Sequence, residues 1–415
     1  MSSLATTAEP TTATASNWVD VWIIGLSQVI SGSGAFLALT TLILALQDSG
    51  ATGLAVAGVT VAASLPVVAL APVTGRLADR FDSRTLMVVA GVIQIAGCLL
   101  LAMANTTPWR IAFVAVIYCG TALSLPVRAA LLPVMVTPED LPRAGAINQS
   151  AGVIGTMLGP PIAGFAYSAA GSVPGTLRWA SVGFLATIAA GLVVRTRRGN
   201  GTHGPVPAGG ERPPMDQLLR VTFVGIAAVV AAISAIDVIA VFFVRGTLDA
   251  SAQTYGLVMA FWPIGMVIGA WVQAKLAEKA GDGTLTVWLF ATLATTAGGV
   301  ILLAGVPSAL WFIPIWLIGG ALNGADNVLI TTLVARRSPV AVRGHVAAVM
   351  QAAVQGALLA GYIGAGLALN YHANTRMIIL VCGLLAVGAV LIIIPWVRAA
   401  VRSSRPVALA EAAQE

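Results

Sequence analysis

Long apolar stretches, separated by short polar segments, follow one another along the whole chain of 415 residues. Most have about 20 residues or more, the length that a helix needs to cross the hydrocarbon core of a bilayer. They are too long, and alternate too little between apolar and polar residues, for the strands of a membrane barrel. The pattern predicts twelve membrane-spanning helices. They cover residues 19–46, 53–74, 85–104, 109–133, 143–168, 177–195, 219–244, 255–274, 284–304, 309–334, 344–369 and 375–397.

The composition agrees with a lipid bilayer as the surroundings. Hydrophobic residues make up 58% of the chain, charged residues only 9%, and the mean hydropathy is +0.92. A water-soluble protein of this composition would expose far too much apolar surface. The net charge of +6 does not indicate nucleic-acid binding, because the basic residues are confined to the polar segments. Cys98, Cys119 and Cys382 lie inside apolar stretches, so we expect small packing residues and neither disulfides nor metal ligands. No cofactor is expected.

The distribution of Lys and Arg predicts the orientation. If both termini are cytoplasmic, 17 of the 22 basic residues lie in cytoplasmic segments, four lie outside and Arg128 lies within a span. Cytoplasmic loops of membrane proteins carry such an excess of positive charge. We therefore predict a multi-pass protein of the cell membrane with both termini in the cytoplasm.

The polar segments also divide the chain. Residues 196–218 are rich in Gly and Pro and predict a flexible cytoplasmic linker, in which His203 is a solvated residue. The linker would separate an N-terminal bundle, residues 17–195, from a C-terminal bundle, residues 219–397. Residues 1–16 predict a disordered cytoplasmic tail, and residues 398–415 a second cytoplasmic tail.

One short polar loop stands out, at residues 75–84, and it carries five charges. A weaker copy of its charge order lies at residues 274–279, so the offset from residue 75 to residue 274 is 199 residues. A cytoplasmic loop rich in arginine would be an ordinary feature of any membrane protein. The repetition at one offset, however, indicates two halves of like topology.

The order Gly-x-Leu-Ala-Asp-Arg-x-x-x-Arg in this loop resembles the signature between helices 2 and 3 of the major facilitator superfamily of secondary transporters. The resemblance implies an all-α membrane fold of twelve helices in two pseudosymmetric six-helix bundles, working as a monomer by alternating access. It also implies a gating role for the charged loop and its copy, in which Asp82 stands where the family usually has glycine. The residues concerned are Gly75, Arg76, Asp79, Arg80, Arg84, Lys275, Glu278 and Lys279.

A second motif lies in the fifth span, where Gly155, Gly159, Pro160 and Gly164 follow the order Gly-x-x-x-Gly-Pro-x-x-Ala-Gly. Small residues at this spacing allow close helix packing, and that alone could explain them. The order also resembles the helix 5 signature of drug:proton antiporters, which implies export. Residues 126–133 and 139–148 resemble the group of bacterial exporters that includes enterobactin and macrolide efflux proteins.

Charged side chains within the spans are the candidates for proton coupling. A charge inside the bilayer is energetically unfavourable, so its presence indicates a function. Asp237, Asp326 and Arg128 are the residues concerned. For Asp237 the alternative is a pair with Arg245 or a backbone amide. For Asp326 it is a structural pair with Arg128 or with the arginines at 336 and 337. Asp20, between two tryptophans, is read as an interfacial residue.

If the first helices of each three-helix repeat line a central cavity, as in the family, several polar and aromatic residues would face it. The substrate-cavity candidates are Gln28, Phe36, Tyr118, Phe242 and Asn323. A lining of this kind suits an amphipathic organic molecule.

The function expected from the sequence is proton-coupled export of amphipathic small molecules, such as a drug, antibiotic, siderophore or other secondary metabolite. The alternative on the same fold is a proton-coupled importer. An intramembrane enzyme is disfavoured, because the chain has no His-Glu-x-x-His motif, no Walker A motif and no metal-ligand spacing. A structural scaffold would leave the repeated loop motif without a reason.

Overall fold

A computed structural model describes residues 15–170, 172–197, 216–277, 279–338, 343–371 and 374–412. The predicted N-terminal tail up to residue 14, most of the predicted linker with His203, and Glu278 lie outside the described residues. Almost the whole of the described chain is helical, and no strand occurs in it. The first half contains α1 (Trp18–Asp48), α2 (Gly53–Ala69), α3 (Ala71–Arg80), α4 (Ser83–Met103), α5 (Thr107–Met135), α6 (Leu141–Ala170) and α7 (Val173–Val193).

The second half continues with α8 (Gln217–Ile233), α9 (Ala235–Val241), a π-helical turn (Phe242–Thr247), α10 (Ala252–Ala277) and α11 (Asp282–Ala304). A 3₁₀ turn (Ala309–Trp311), α12 (Phe312–Arg337), α13 (Arg343–Asn370) and α14 (Thr375–Ala412) complete it.

Ten of the described helices, counting α8 to the π-turn as one, are long and apolar enough to cross a membrane. The pair α2 and α3, bent by 48° at Leu70, counts as one more. The helix α6 is not in that group, because its glycines and prolines make it less apolar, but its 30 residues are long enough to span. These helices occupy the twelve predicted positions, and the predicted all-helical membrane fold is confirmed.

The helices of the two halves pack in the same order. In the first half, α1 packs on α6 and α7, α4 on α5 and α7, and α2 on α5. In the second half, α8 packs on α13 and α14, α11 on α12 and α14, and α10 on α12. Each pair of the first half has its counterpart in the second, which is the arrangement of two pseudosymmetric bundles.

Glycines allow the closest of these contacts, between α10 and α12. A Cβ atom added to Gly269 would lie 1.7 Å from the carbonyl oxygen of Ala321, and one added to Gly324 would lie 2.0 Å from that of Met266. The backbones of the two helices are therefore in contact, with no room for a side chain between them.

The polar segment at residues 75–84 is not the loop that the sequence predicts. The helix α3 continues to Arg80, so Gly75, Arg76, Asp79 and Arg80 are helical, and only residues 81 and 82 join α3 to α4. The carboxylate of Asp82 accepts a hydrogen bond of 3.1 Å from the backbone nitrogen of Arg84 and caps α4. Aspartate is among the preferred N-cap residues, which explains why no glycine turn is needed here.

Gly75 is not at a close helix contact, because a Cβ atom there would meet no described atom within 4 Å. In the segment after residue 397, which the sequence predicts to be a cytoplasmic tail, α14 continues as a helix to Ala412. This segment is rich in alanine and arginine, which are strong helix formers.

The glycine contact between α10 and α12 gives a test of the fold. Gly269→Ala would force the helices apart, and we expect it to lower the free energy of unfolding by about 1–3 kcal/mol. Gly298→Ala is the matched control, because a Cβ atom at Gly298 meets nothing within 4 Å. Thermal unfolding of both variants in detergent measures the difference. Equal melting temperatures would contradict the described contact.

Candidate functional site

Two ends of the bundle can be distinguished from their hydrogen bonds. Asp20, near the start of α1, accepts hydrogen bonds from the backbone nitrogens of Arg195 (3.2 Å) and Thr196 (2.8 Å), just after α7. In the second half, Arg337 at the end of α12 pairs with Asp216, before α8, at 2.6 Å. We call this end the arginine-rich face. The other end, where α1 ends and α10 begins, is called the opposite face.

Close backbone contacts join the two halves near the opposite face. A Cβ atom on Gly256 of α10 would lie 2.4 Å from the carbonyl oxygen of Pro160 of α6, and one on Gly164 would lie 2.5 Å from that of Ala252. On the other side of the bundle, α13 packs on α2 in the same way, around Gly366. The two halves are thus sealed against each other at this face.

An ion pair between the halves reinforces the seal. Arg245, on the π-helical turn, forms an ion pair with Asp48 at the end of α1. Its Nε atom donates a hydrogen bond of 2.8 Å to Gln47, and the hydroxyl of Tyr167 donates one of 2.9 Å to Asp48. The extra residue of a π-turn rotates the side chains that follow it. Arg245 therefore points across to the first half.

A central cavity lies between the halves. Its larger part, cavity A, has a volume of about 490 Å³ and is lined by residues of α1, α4, α5, α6 and α10. A second part, cavity B, of about 290 Å³, lies between cavity A and the seal. The two parts share Phe36, Tyr118, Thr156, Trp262 and Pro263 in their walls, so they are adjoining parts of one space.

Asp237 lines cavity B. It lies on the short helix α9, just after the break at Ser234, and its side chain is exposed to the cavity. The hydroxyl of Tyr362 donates a hydrogen bond of 3.1 Å to its carboxylate. The pair with Arg245 that the sequence left open is not formed, because Arg245 is engaged with Asp48.

The other two coupling candidates have different surroundings. Asp326 is buried, does not line cavity A or B, and accepts a hydrogen bond from the hydroxyl of Thr292. The alternative of a structural pair with an arginine is not found among the described ion pairs, since Arg336 pairs with Asp282 and Arg337 with Asp216 and Asp282. Arg128 is buried in the wall of cavity A.

Of the five substrate-cavity candidates, Gln28, Phe36 and Tyr118 line the cavity, whereas Phe242 and Asn323 are not among its described lining residues. Sequence reasoning missed four aromatic residues of the wall, which are Trp262, Trp316, Tyr255 and Tyr362. They lie on α10, α12 and α13, and the sequence analysis did not expect α10 and α13 to line the cavity. The available signal in the sequence was the polar atom that each of these tryptophans and tyrosines carries within an apolar span.

The helix 5 motif is on α6. Its first two glycines pack against α1, and Gly164 packs against α10 at the seal. A Cβ atom on Gly155 would lie 3.3 Å from the Cα atom of Gly32, and one on Gly159 would lie 2.4 Å from the Cβ atom of Phe36. Gly164 belongs to the contact between the halves. Pro160 contributes both to this contact and to the wall of cavity B.

The gating candidates lie at the arginine-rich face. The helix α3 that carries most of them packs on α5 of its own half, and Arg76, Asp79 and Arg80 are exposed. In the copy, the Nζ atom of Lys275 lies 3.6 Å from the centre of the Trp271 ring, and Lys279 is exposed.

Comparison with protein families places the chain. Residues 24–362 match the family described as Major Facilitator Superfamily, and the chain belongs to this family of membrane transporters. A comparison with curated protein sequences finds no significant match.

Solved structures show the same fold at low sequence identity. The nucleoside transporter NupG is 12% identical, with a TM-score of 0.74, and the match covers 91% of this chain and 99% of that one. A bacterial homolog of the human lysosomal transporter Spinster, in an inward-facing and occupied conformation, is 13% identical, with a TM-score of 0.71 and coverages of 93% and 96%. The peptide transporter POT is 14% identical, with a TM-score of 0.70 and coverages of 92% and 95%.

The ion pair at the seal can be tested by accessibility. Arg245→Gln removes the bond across the halves, and we expect the opposite face to open more often. The expected change is about fivefold faster labelling of Ile43→Cys by a membrane-impermeant maleimide, since an ion pair of this exposure contributes about 1 kcal/mol. Ile43 lines cavity B. The experiment uses a chain in which the three native cysteines are replaced by alanine.

Arg178→Gln is the control for this labelling, because Arg178 is exposed near the start of α7, at the same face. It removes the same charge without touching the seal. Labelling that stays at the unaltered rate in Arg245→Gln would show that the ion pair does not hold the face closed.

Proposed function

We propose that this protein exports amphipathic small molecules across the cell membrane in exchange for protons. The observation that carries the proposal is the carboxylate of Asp237, which is exposed to a central cavity between two halves that are sealed at one face. A carboxyl group within a membrane span, facing an internal cavity, is suited to take up and release a proton. The same cavity would hold the substrate.

The cavity walls support an amphipathic substrate. Apolar and aromatic side chains such as Phe36, Leu125, Trp262 and Met266 provide most of the surface. Glutamine, serine and threonine side chains are placed among them. The volumes of cavities A and B are in the range of sites for small organic ligands.

The residues around Asp237 would couple proton binding to substrate binding. Its hydrogen bond from Tyr362 stabilises the charged form, while cavity B offers aromatic surface around it. When a proton neutralises Asp237, the unfavourable charge in the cavity is removed and the seal above it can re-form around a neutral group. Substrate and proton would thus occupy the cavity in turn. Asp326, bonded to Thr292 outside the cavity, is the second candidate for coupling.

The direction of transport rests on two arguments. The excess of Lys and Arg makes the arginine-rich face the cytoplasmic one, with both termini there. The order of glycines and proline in α6 resembles that of antiporters that export. The helix α3 and its copy after α10 would then gate the cytoplasmic side, and the repeated packing within one chain is consistent with a monomer as the working unit.

Transport into inside-out vesicles tests the proposal. In vesicles with an acidic lumen, an antiporter moves substrate inward as protons leave. We expect accumulation of at least one member of a panel of amphipathic dyes and antibiotics, and its loss when an ionophore removes the gradient. If the gradient drives every transported compound out of the lumen instead, the protein is a proton-coupled importer. If it moves no compound of the panel, proton coupling is excluded.

Replacing the cavity carboxylate tests the mechanism. Asp237→Asn keeps the size of the side chain but cannot carry a proton. We expect gradient-driven uptake to fall at least about tenfold, with exchange of labelled for unlabelled substrate retained, because only the coupled step needs the proton. Asp326→Asn in the same assays tests the second candidate. Gradient-driven uptake at the original rate in Asp237→Asn would assign the proton to another group.

A further inference from the structure

The wall of cavity A contains a buried cation without a partner. Arg128 is only 6% exposed, and its Nε atom has no hydrogen-bond partner among the described residues. None of the described ion pairs includes it. A buried guanidinium without a counter-ion is strongly unfavourable. A charged residue within a membrane span is for that reason a candidate for a functional role.

Other polar atoms without a described partner line the same cavity. Gln94 is 3% exposed and Tyr118 is 8% exposed, and neither the Oε1 atom of the first nor the hydroxyl of the second has a described partner. Gln94 is held in place by the bond that its Nε2 atom donates to Thr121, at 3.1 Å. The Oε1 atom of Gln28 is also without a described partner. Four lining residues therefore offer free hydrogen-bonding atoms in one cavity.

No acidic side chain lines cavity A among the described residues. Asp237 lies in the wall of cavity B, on the side of the seal. Arg128 lies on the other side, seven residues, or about 10 Å, before the end of α5 at the arginine-rich face. Cavity A thus has an excess of one positive charge, and nothing described in its wall compensates it.

We propose that cavity A binds the carboxylate of an amphipathic organic acid through Arg128. The hydroxyl of Tyr118, ten residues or about 15 Å earlier on α5, is available to a polar group elsewhere on the ligand. The planar guanidinium matches a carboxylate with two parallel hydrogen bonds, and one cation matches one negative charge. The free oxygens of Gln28 and Gln94 accept from hydroxyl or amide groups elsewhere on the ligand. Phe36, Trp262 and their apolar neighbours contact its hydrocarbon part.

This inference rests on the proposed function only in taking the central cavity as the substrate site. It narrows the substrate class from amphipathic molecules in general to those with one acidic group. The charge of the ligand, and not its shape, is the property that Arg128 would select.

Four probes with the same ring system test this selection. They are 2-naphthylacetate, its neutral amide 2-naphthylacetamide, the cation 2-(2-naphthyl)ethylammonium, and 2-naphthyl phosphate. Equilibrium dialysis against the full-length protein in lipid nanodiscs, without any proton gradient, gives their dissociation constants. We expect the acid to bind at least about tenfold more tightly than the amide, and the cation more weakly than the amide. Tighter binding of the phosphate than of the acid would replace carboxylate by phosphate in the proposal.

Substitutions at Arg128 test whether its side chain causes the preference for the acid over the amide. Arg128→Gln should bind the acid no more tightly than the amide, while its affinity for the amide stays within about twofold. Arg128→Lys should keep part of the preference, since it retains the charge but loses the planar fork. Tyr118→Phe should leave the preference for the acid over the amide unchanged, because Tyr118 lies ten residues from Arg128 on α5. Arg178→Gln, far from the cavity, controls for the net charge of the protein.

The outcomes separate this inference from the proposed function. Equal affinity of the unaltered protein for acid and amide, or an undiminished preference in Arg128→Gln, would overturn the carboxylate site even if vesicles show proton-driven transport. A preference for the acid that depends on Arg128 would support the site even if a proton gradient drives no transport. Amide binding and elution from a sizing column show that each variant is folded.

Discussion

The hydrocarbon of a bilayer offers no hydrogen bonds, so every backbone group within it needs a partner in the protein. This constraint explains both the helices and the places where they break. At Ser234 the helix α8 ends, but the backbone nitrogen of Ser234 still bonds to Val230 and its carbonyl oxygen accepts from Asp237. The Ser234 hydroxyl contacts the Leu358 carbonyl oxygen of α13 at 3.4 Å. The backbone groups and the hydroxyl of Ser234 are thus all bonded at the break, and Asp237 follows it in the wall of cavity B.

Glycine contacts have two different uses in this bundle. Between α10 and α12, within one half, they bring backbones together along successive turns and make the pair behave as one body. Between α6 and α10, which belong to different halves, the same kind of contact forms a flat seal near one face. Flat surfaces without interlocking side chains separate easily, and among the described residues Arg245 adds directional bonds there, to Asp48 and Gln47. Rigid halves with a separable seal are what alternating access requires.

The fold could be predicted from the sequence because hydropathy and length decide which segments span a bilayer, and the repeated charge order revealed the two halves. The rotation of each helix could not be predicted in this way. In a membrane the lipid-facing and core-facing sides of a helix are both apolar, so Phe242 and Asn323 gave no sign that they do not line the cavity. The role of Asp82 could not be predicted either. The family usually has glycine at this position, whereas here the aspartate caps the N-terminus of α4.

Trp262 has a position that bears on the breadth of the substrate range. It lies in the wall where cavities A and B adjoin, and its ring centre is 4.8 Å from that of Trp316. A molecule that passes from one cavity to the other therefore passes this indole, which is the largest of the side chains that both walls share. Evolution could widen or restrict the range of transported molecules by exchanging that residue, without rebuilding either bundle.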